Sequence, residues 1–123
     1  MFGLELDRRL RAAGSPVRSI PAHPGMAKTD ITRLGEHAGP VRKLVLDGVF
    51  GLLGQSAAQG ALPLLYAATA PEARGGAYYG PDGVWEIRGH PKEASIAPHA
   101  LDQAAARRLW SASEALTGVT YPV

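Results

Sequence analysis

The chain has 123 residues, the size of one small domain, and its 46% hydrophobic and 20% charged residues are ordinary for a globular protein, which argues against disorder or a fibrous repeat. It has no cysteine, which excludes disulfides, thiolate metal sites and a cysteine nucleophile, and this is compatible with a cytoplasmic location. Its 13 basic and 11 acidic residues are interspersed, so we expect no basic face for nucleic acid.

The first residues predict an amphipathic helix. One face carries four apolar residues: Phe2, Leu6, Leu10 and Ala13. Two acid–base pairs are spaced four residues apart on the other face: Glu5 with Arg9 and Asp7 with Arg11. We expect the helix to end at Gly14 and Pro16. No capping residue precedes Phe2, so Met1 is interpreted as an internal position of a longer helix.

Residues 17–23 form a short, mostly apolar segment between two prolines, which predicts a buried strand. Pro21 lies within it and has no N–H for a ladder, so the strand must bulge there or turn that nitrogen toward a gap. The polar segment 24–40 is typical of a functional loop, with three residues able to cap a short helix: Thr29, Asp30 and Thr32.

The apolar stretch at residues 41–54 carries Arg42, Lys43 and Asp47 and is shorter than the roughly 20 residues that a bilayer span requires. No membrane span is therefore predicted. The charged N-terminus also differs from a secretory signal. Residues 41–54 could form an ordinary packed helix, or they could lie against the surface of a membrane.

Two more helices and a strand are predicted in the C-terminal half. Residues 55–70 show helical spacing, with a kink at Pro63 and five residues expected to face a core: Ala57, Ala61, Leu64, Leu65 and Ala68. Residues 77–80 predict a short aromatic strand followed by a Pro-Asp-Gly turn. The last helix should end at Gly118, with Trp110 near the edge of its apolar face: Leu101, Ala105, Leu109, Ala112 and Leu116.

Few residues predict a catalytic or metal site. The four histidines are dispersed, which favours solvated or core histidines over metal ligands, and no serine lies in a nucleophile elbow. Three aromatic residues, Tyr78, Tyr79 and Trp85, could line the mouth of a pocket, although strand aromatics more often belong to a core.

The predicted strand is followed by His23-Pro24-Gly25 and then by Thr29, four residues after the glycine. This arrangement resembles the Pro-Gly motif after the sixth strand of short-chain dehydrogenases/reductases. "LELDRRLR" resembles the end of that family's catalytic helix. "AAQGALPLLYAATAP" and "GGAYYGPDG" resemble the penultimate helix and last strand of its retinol-dehydrogenase-like branch. The resemblance covers nearly the whole chain and corresponds to the C-terminal half of the family's fold.

The resemblance implies an α/β fold: residues 1–123 as a single domain fragment with about two strands of a doubly wound Rossmann-like sheet and their flanking helices. It implies NAD or NADP as cofactor, with Pro24, Gly25, and the backbone of Met26 and Ala27 bordering the nicotinamide ring. The Thr29 hydroxyl would reach the carboxamide or the pyrophosphate. Residues 41–54 would be a lid over a lipophilic substrate. A glycine suits close approach of backbone and cofactor, and free N–H groups suit a diphosphate.

The chain departs from the family in its chemistry. It contains no Gly-rich cofactor turn, no Asn-Ala-Gly segment and no Tyr-x-x-x-Lys, so hydride transfer would have no acid–base partner. We expect the chain to be inactive alone, as part of an oxidoreductase for a lipophilic alcohol or ketone, and to require a missing N-terminal half or to form a homo-oligomer. The alternative is a small non-enzymatic interaction protein that uses the apolar face of its first helix.

Overall fold

The computed structural model describes residues 1–27, Gly48 and residues 54–122. Along these ranges it contains α1 (Phe2–Ala12), α2 (Ala57–Thr69), β1 (Tyr79–Pro81), β2 (Pro91–Glu93) and α3 (Gln103–Thr117), with 3-10 turns at Val84–Glu86 and Pro98–Leu101. β1 and β2 pair antiparallel, with Gly80 opposite Lys92. The expected α/β class is confirmed, and the small sheet is consistent with an incomplete Rossmann-like domain. None of the helices in these ranges is long and apolar enough to cross a membrane.

The acidic residues of α1 are buried. Glu5 and Asp7 are each 2% exposed, and both predicted pairs form. Asp7 accepts hydrogen bonds from the Arg11 guanidinium at 2.6 Å and from the backbone N–H of Ser19 at 3.1 Å. Asp7 therefore joins α1 to the extended segment 17–23 in addition to forming its predicted ion pair.

Glu5 contributes to the dependence of the chain's stability on acid. The hydrogen bond from Arg8, aided by Arg9, lowers the pKa of Glu5 to about 2, from an ordinary value of 4.5. Because the folded state has the lower pKa, the stabilisation is present above pH 4.5 and is lost as the pH falls toward 2. We expect Glu5→Gln to lower the free energy of unfolding at neutral pH by about 1 kcal/mol, with a smaller further loss in acid.

Urea unfolding followed by circular dichroism, repeated between neutral pH and the pKa of Glu5, measures this difference. Glu72→Gln removes an exposed carboxylate and is the matched control, whose acid dependence should parallel that of the unchanged chain. If the stability of the Glu5→Gln variant depended on acid as much as that of the unchanged chain, Glu5 and its two arginines would not have this stabilising role.

The predicted strand at residues 17–23 is reduced to an isolated parallel bridge between Ala22 and Tyr79. The Tyr79 N–H donates to Pro21 O at 3.0 Å, and the His23 N–H donates to Tyr79 O at 2.9 Å. The donor that would continue this ladder toward the N-terminus belongs to position 21, where proline has no N–H. The expected interruption at Pro21 is therefore observed, and its extent explains why no full strand forms. β1 begins two residues later than predicted, and β2 was not predicted.

α2 forms as predicted, but the face assigned to the core was wrong. The helix continues through Pro63, and its buried residues are Gly60 and Pro63. Leu64 and Leu65 are 48% and 55% exposed. The small residues are buried because α2 packs at short range on the loop after His23: a Cβ added to Gly60 would lie only 2.6 Å from Ala27 Cβ. Tyr66 and Ala67 instead contact the small core of Ala73, Ala77 and Tyr79.

α3 also buries a different face from the predicted one. Ala106 and Trp110 are buried, whereas three of the predicted core leucines are exposed: Leu101, Leu109 and Leu116. Trp110 lies at the centre of the contact with α1 and stacks on Phe2 with 4.8 Å between ring centroids. Gly118 ends α3 in the left-handed conformation, as its position predicted.

The contact between α1 and α3 bears on the predicted interaction surface of α1. Leu10 is 6% exposed, and Phe2 packs on Trp110 of the same chain. Since two of its four apolar residues are engaged within the chain, this face is not the free docking surface that the alternative hypothesis required.

Candidate functional site

The predicted site residues Pro24, Gly25, Met26 and Ala27 form a loop between two parallel bridges. The first bridge joins Ala22 to Tyr79, and the second joins Ala27 to Gln55. Thr29, also predicted to contact the cofactor, lies outside the residues that the structure describes, as does almost all of the predicted lid at 41–54. The four described residues are therefore contiguous and anchored at both ends. We call residues 24–27 the Pro-Gly loop.

Gly25 has a left-handed backbone with φ of +62°. A Cβ on Gly25 would overlap the carbonyl oxygen of Ile87 and lie 2.8 Å from the carbonyl oxygen of Glu86. The close approach that the glycine allows is therefore to the chain's own backbone at residues 86–87, where the sequence had suggested an approach to a cofactor. The Met26 N–H donates to Ile87 O at 2.7 Å and fixes the same contact.

Gln55 clamps the Pro-Gly loop from the other side and is only 3% exposed. Its side-chain N–H donates to Pro24 O at 2.7 Å, its side-chain oxygen accepts from the Gly89 N–H at 3.0 Å, and its backbone N–H donates to Met26 O at 2.9 Å. One buried amide thus connects the loop to residue 89. Sequence reasoning missed Gln55 as a site residue because a glutamine just before the Ser56 helix cap carries no distinguishing signal.

His23 joins the Pro-Gly loop to Glu86. The Gly25 N–H donates to His23 Nδ1 at 3.3 Å, and His23 Nε2 lies 3.1 Å from a carboxylate oxygen of Glu86. Because Nδ1 accepts, we assign the proton of the neutral ring to Nε2, which then donates to Glu86. The other oxygen of Glu86 accepts from the Ser95 N–H at 3.2 Å. The sequence placed His23 next to the Pro-Gly motif but gave no sign of its contact with Glu86.

The three aromatic residues considered for the mouth of a pocket lie in different environments. Tyr79 is 4% exposed and belongs to the core, whereas Trp85 is 87% exposed. Tyr78 lies beside His23, with 5.1 Å between ring centroids. Burial, and then the nearby Glu86 carboxylate, raise the pKa of Tyr78, so this phenol stays protonated in neutral solution. Tyr79 therefore belongs to the core, which is the interpretation that the sequence favoured for strand aromatics.

The Pro-Gly loop has a geometry that could contact a bound ligand. The Tyr-x-x-x-Lys that was expected to supply an acid–base group is absent from the sequence. The N–H groups of Gly25 and Met26 have partners within the chain, so neither is free to bind a diphosphate. In the part of the chain that the structure describes, no group of acids and histidines could hold a metal ion. What the Pro-Gly loop offers is a backbone whose shape is fixed by hydrogen bonds within the chain.

Relatives of the chain are found over nearly its whole length, although no protein-family model matches it. Human retinol dehydrogenase 13 is 36% identical over 99% of the chain, which spans 34% of that protein. Mouse polyprenol dehydrogenase is 39% identical over 96% of the chain and 32% of its own length. The crystal structure of an uncharacterized protein from Mycobacterium paratuberculosis superposes with a TM-score of 0.65 at 30% identity, covering 99% of this chain and 36% of that one. The chain thus spans about a third of the length of each.

Proposed function

We propose that this chain, whose sequence is that of the C-terminal part of a short-chain dehydrogenase/reductase, is the segment of an NAD(P)-dependent oxidoreductase that holds the nicotinamide end of the cofactor. The observation that carries the proposal is the clamped Pro-Gly loop. Contacts within the chain hold its backbone, through Gln55 on one side and through residues 86–87 on the other. Such preorganisation is what positioning a reactive ring requires.

The chemistry of the loop favours the nicotinamide end over the diphosphate. Pro24 is exposed and presents apolar surface, and the N–H groups of Gly25 and Met26 are engaged within the chain, which leaves little for an anion. A bound NAD(P) would supply or accept the hydride. The residues of this chain would hold the ring and keep its surroundings fixed, while the proton donor would have to come from a Tyr-x-x-x-Lys that this chain does not contain.

We propose a lipophilic alcohol or ketone as the substrate class. Two relatives are named for retinol and polyprenol, which are both long apolar alcohols. The exposed leucines of α2 and α3 fit the same proposal, because Leu64, Leu65 and Leu109 would face the remaining part of such an enzyme or a second copy of it. The proposal also includes residues 41–54 as a lid over the substrate and the Thr29 hydroxyl as a contact to the cofactor.

The test is to recover the natural polypeptide from its source cells with an antibody against α3 and to measure its mass and its NAD(P)H-dependent reduction of retinaldehyde. We expect a polypeptide about three times as long as the 123 residues, because the chain spans 34% of retinol dehydrogenase 13. In that polypeptide Gly25→Ala should lower activity about tenfold or more, because it shifts the Pro-Gly loop.

Gly14→Ala is the control, since Gly14 has a similar φ of +66° but no atom of the described residues within 4 Å of its added Cβ. Activity should survive this change. Recovery of a 12.9 kDa polypeptide that oxidises neither NADH nor NADPH would contradict the proposed function.

A further inference from the structure

The side chain of His23 lies between the Pro-Gly loop and the turn at Val84–Glu86. Its ring packs directly on Gly80 of β1, because a Cβ added to Gly80 would overlap His23 Nε2. The ring of Tyr78 lies beside it, with 5.1 Å between centroids and 31° between the ring planes. Close packing of this kind leaves the imidazole little room to rotate, so the direction of each ring nitrogen is fixed.

The hydrogen bond from Gly25 requires one tautomer of His23. The Gly25 N–H donates to Nδ1 at 3.3 Å, so Nδ1 must be the unprotonated nitrogen of the ring. The ring proton is then on Nε2, which lies 3.1 Å from a carboxylate oxygen of Glu86. An acceptor at this position favours the tautomer that Gly25 needs, because a hydrogen bond at one ring nitrogen determines the state of the other.

The two donors that meet at Glu86 require a carboxylate there. One of its oxygens accepts from His23 Nε2, and the other accepts from the Ser95 N–H at 3.2 Å. A glutamine of the same shape has one acceptor oxygen and one NH₂ group, so one of the two donors would face another donor. If the NH₂ group faced His23, the ring proton would move to Nδ1 and would oppose the Gly25 N–H.

The backbone at Glu86 is strained. Trp85 and Glu86 have φ of +53° and +56°, a left-handed conformation that residues with a Cβ rarely adopt. Such strain persists only where the surrounding contacts hold it, and it is concentrated at functional sites. The contacts of the Glu86 carboxylate hold it on one side, and the hydrogen bond to Ile87 O holds it on the other. In this conformation the Glu86 carboxylate reaches His23 while its carbonyl oxygen lies against Gly25.

We infer that Glu86 is a positioning residue for the nicotinamide ring: by fixing the tautomer of His23, it holds the Gly25 N–H, and with it the Pro-Gly loop, in one orientation. What this implies for the cofactor rests on the proposed function. Because the Pro-Gly loop would border only the nicotinamide end, a displaced loop should misalign the ring more than it weakens binding of the whole cofactor. The loss should therefore appear in kcat.

Glu86→Gln in the natural polypeptide tests this role. It should lower kcat for NAD(P)H-dependent reduction of retinaldehyde about tenfold and change the KM for the cofactor by less than about twofold. Nitrogen NMR of isotope-labelled histidine rings should show His23 with its proton on Nε2 in the unchanged protein and a mixture of tautomers in the variant. Glu93→Gln is the matched control, because it removes the carboxylate of β2 that pairs with Arg74, and it should leave kcat and the His23 tautomer unchanged.

His23→Asn tests whether Glu86 acts through the histidine ring. The side-chain oxygen of asparagine can take the place of Nδ1 and accept from Gly25, but the shorter side chain does not reach Glu86. Adding Glu86→Gln to His23→Asn should therefore lower kcat no further. The inference is overturned if Glu86→Gln costs the same in both backgrounds, or if His23 of the unchanged protein carries its proton on Nδ1.

The exchange rate of the Gly25 amide separates this inference from the proposed function. A natural polypeptide without NAD(P)H-dependent activity would contradict the proposed function, and the amide would still report on Glu86. Exchange about tenfold faster in Glu86→Gln than in Glu93→Gln would support the role of Glu86 in holding the Pro-Gly loop. Equal exchange in the two variants would overturn it.

Discussion

Replacing Trp110 by alanine is expected to lower the free energy of unfolding by about 3–5 kcal/mol. Trp110 is 1% exposed, stacks on Phe2, and has the guanidinium carbon of Arg9 at 4.4 Å from its ring centroid. Its indole N–H has no partner among the residues that the structure describes, so the variant loses packing and the cation–π contact without leaving a broken hydrogen bond there. The loss is large because this side chain is the centre of the contact between α1 and α3.

Equilibrium unfolding in urea, followed by circular dichroism, measures the effect. Trp85→Ala provides the control within the same chain: that side chain is 87% exposed, so its removal should change stability by less than about 0.5 kcal/mol. Similar stabilities for the two variants would show that α1 and α3 do not pack through Trp110 in solution.

Gly25→Ala is expected to lower the free energy of unfolding by about 2–5 kcal/mol. A left-handed conformation costs a residue with a Cβ about 1–2 kcal/mol, and overpacking against neighbouring atoms typically costs about 1–3 kcal/mol. The neighbours here are the carbonyl oxygens of Ile87 and Glu86 and the ring of Pro81. Since two of these are backbone atoms, they cannot move aside as a flexible side chain could.

Gly14→Ala separates the two costs, because Gly14 has φ of +66° and open space around its Cβ position. It should lose only the conformational part, about 1–2 kcal/mol. Hydrogen exchange gives a local measurement: the Met26 amide, which donates to Ile87 O, should lose protection in Gly25→Ala and keep it in Gly14→Ala. Equal losses of stability in the two variants would show that the contact at residues 86–87 is not tight.

Local features were predictable because they depend on neighbours in sequence. Gly14 and Gly118 follow α1 and α3 as left-handed residues, and Pro21 interrupts the extended segment by lacking an N–H. The pairs of α1 followed from their spacing. The order of motifs along the chain was also sufficient to predict its resemblance to the C-terminal part of a short-chain dehydrogenase/reductase, and the chain is similar over nearly its whole length to a retinol dehydrogenase and a polyprenol dehydrogenase.

Helical spacing located α2 and α3 but not their buried faces. Leucine periodicity predicted cores that include Leu64 and Leu116, yet the buried residues include Gly60 on α2 and Ala106 and Trp110 on α3. Periodicity shows that a helix has an apolar face, but the element packed against the helix decides which face is covered. The Pro-Gly loop approaches α2 closely at Gly60, where the lack of a side chain permits the distance, whereas α1 packs on α3 through the large side chain of Trp110.

The sequence by itself determined the helices, their ends and the position of the Pro-Gly loop, because these follow from backbone propensities and local hydrogen bonds. Only the tertiary structure decided what holds that loop. Gln55 is 31 residues from Pro24, and Glu86 is 63 residues from His23. Contacts across such separations depend on how the chain folds back on itself, and a single sequence does not specify them residue by residue. The strained, outward Trp85 follows from the same distant anchors.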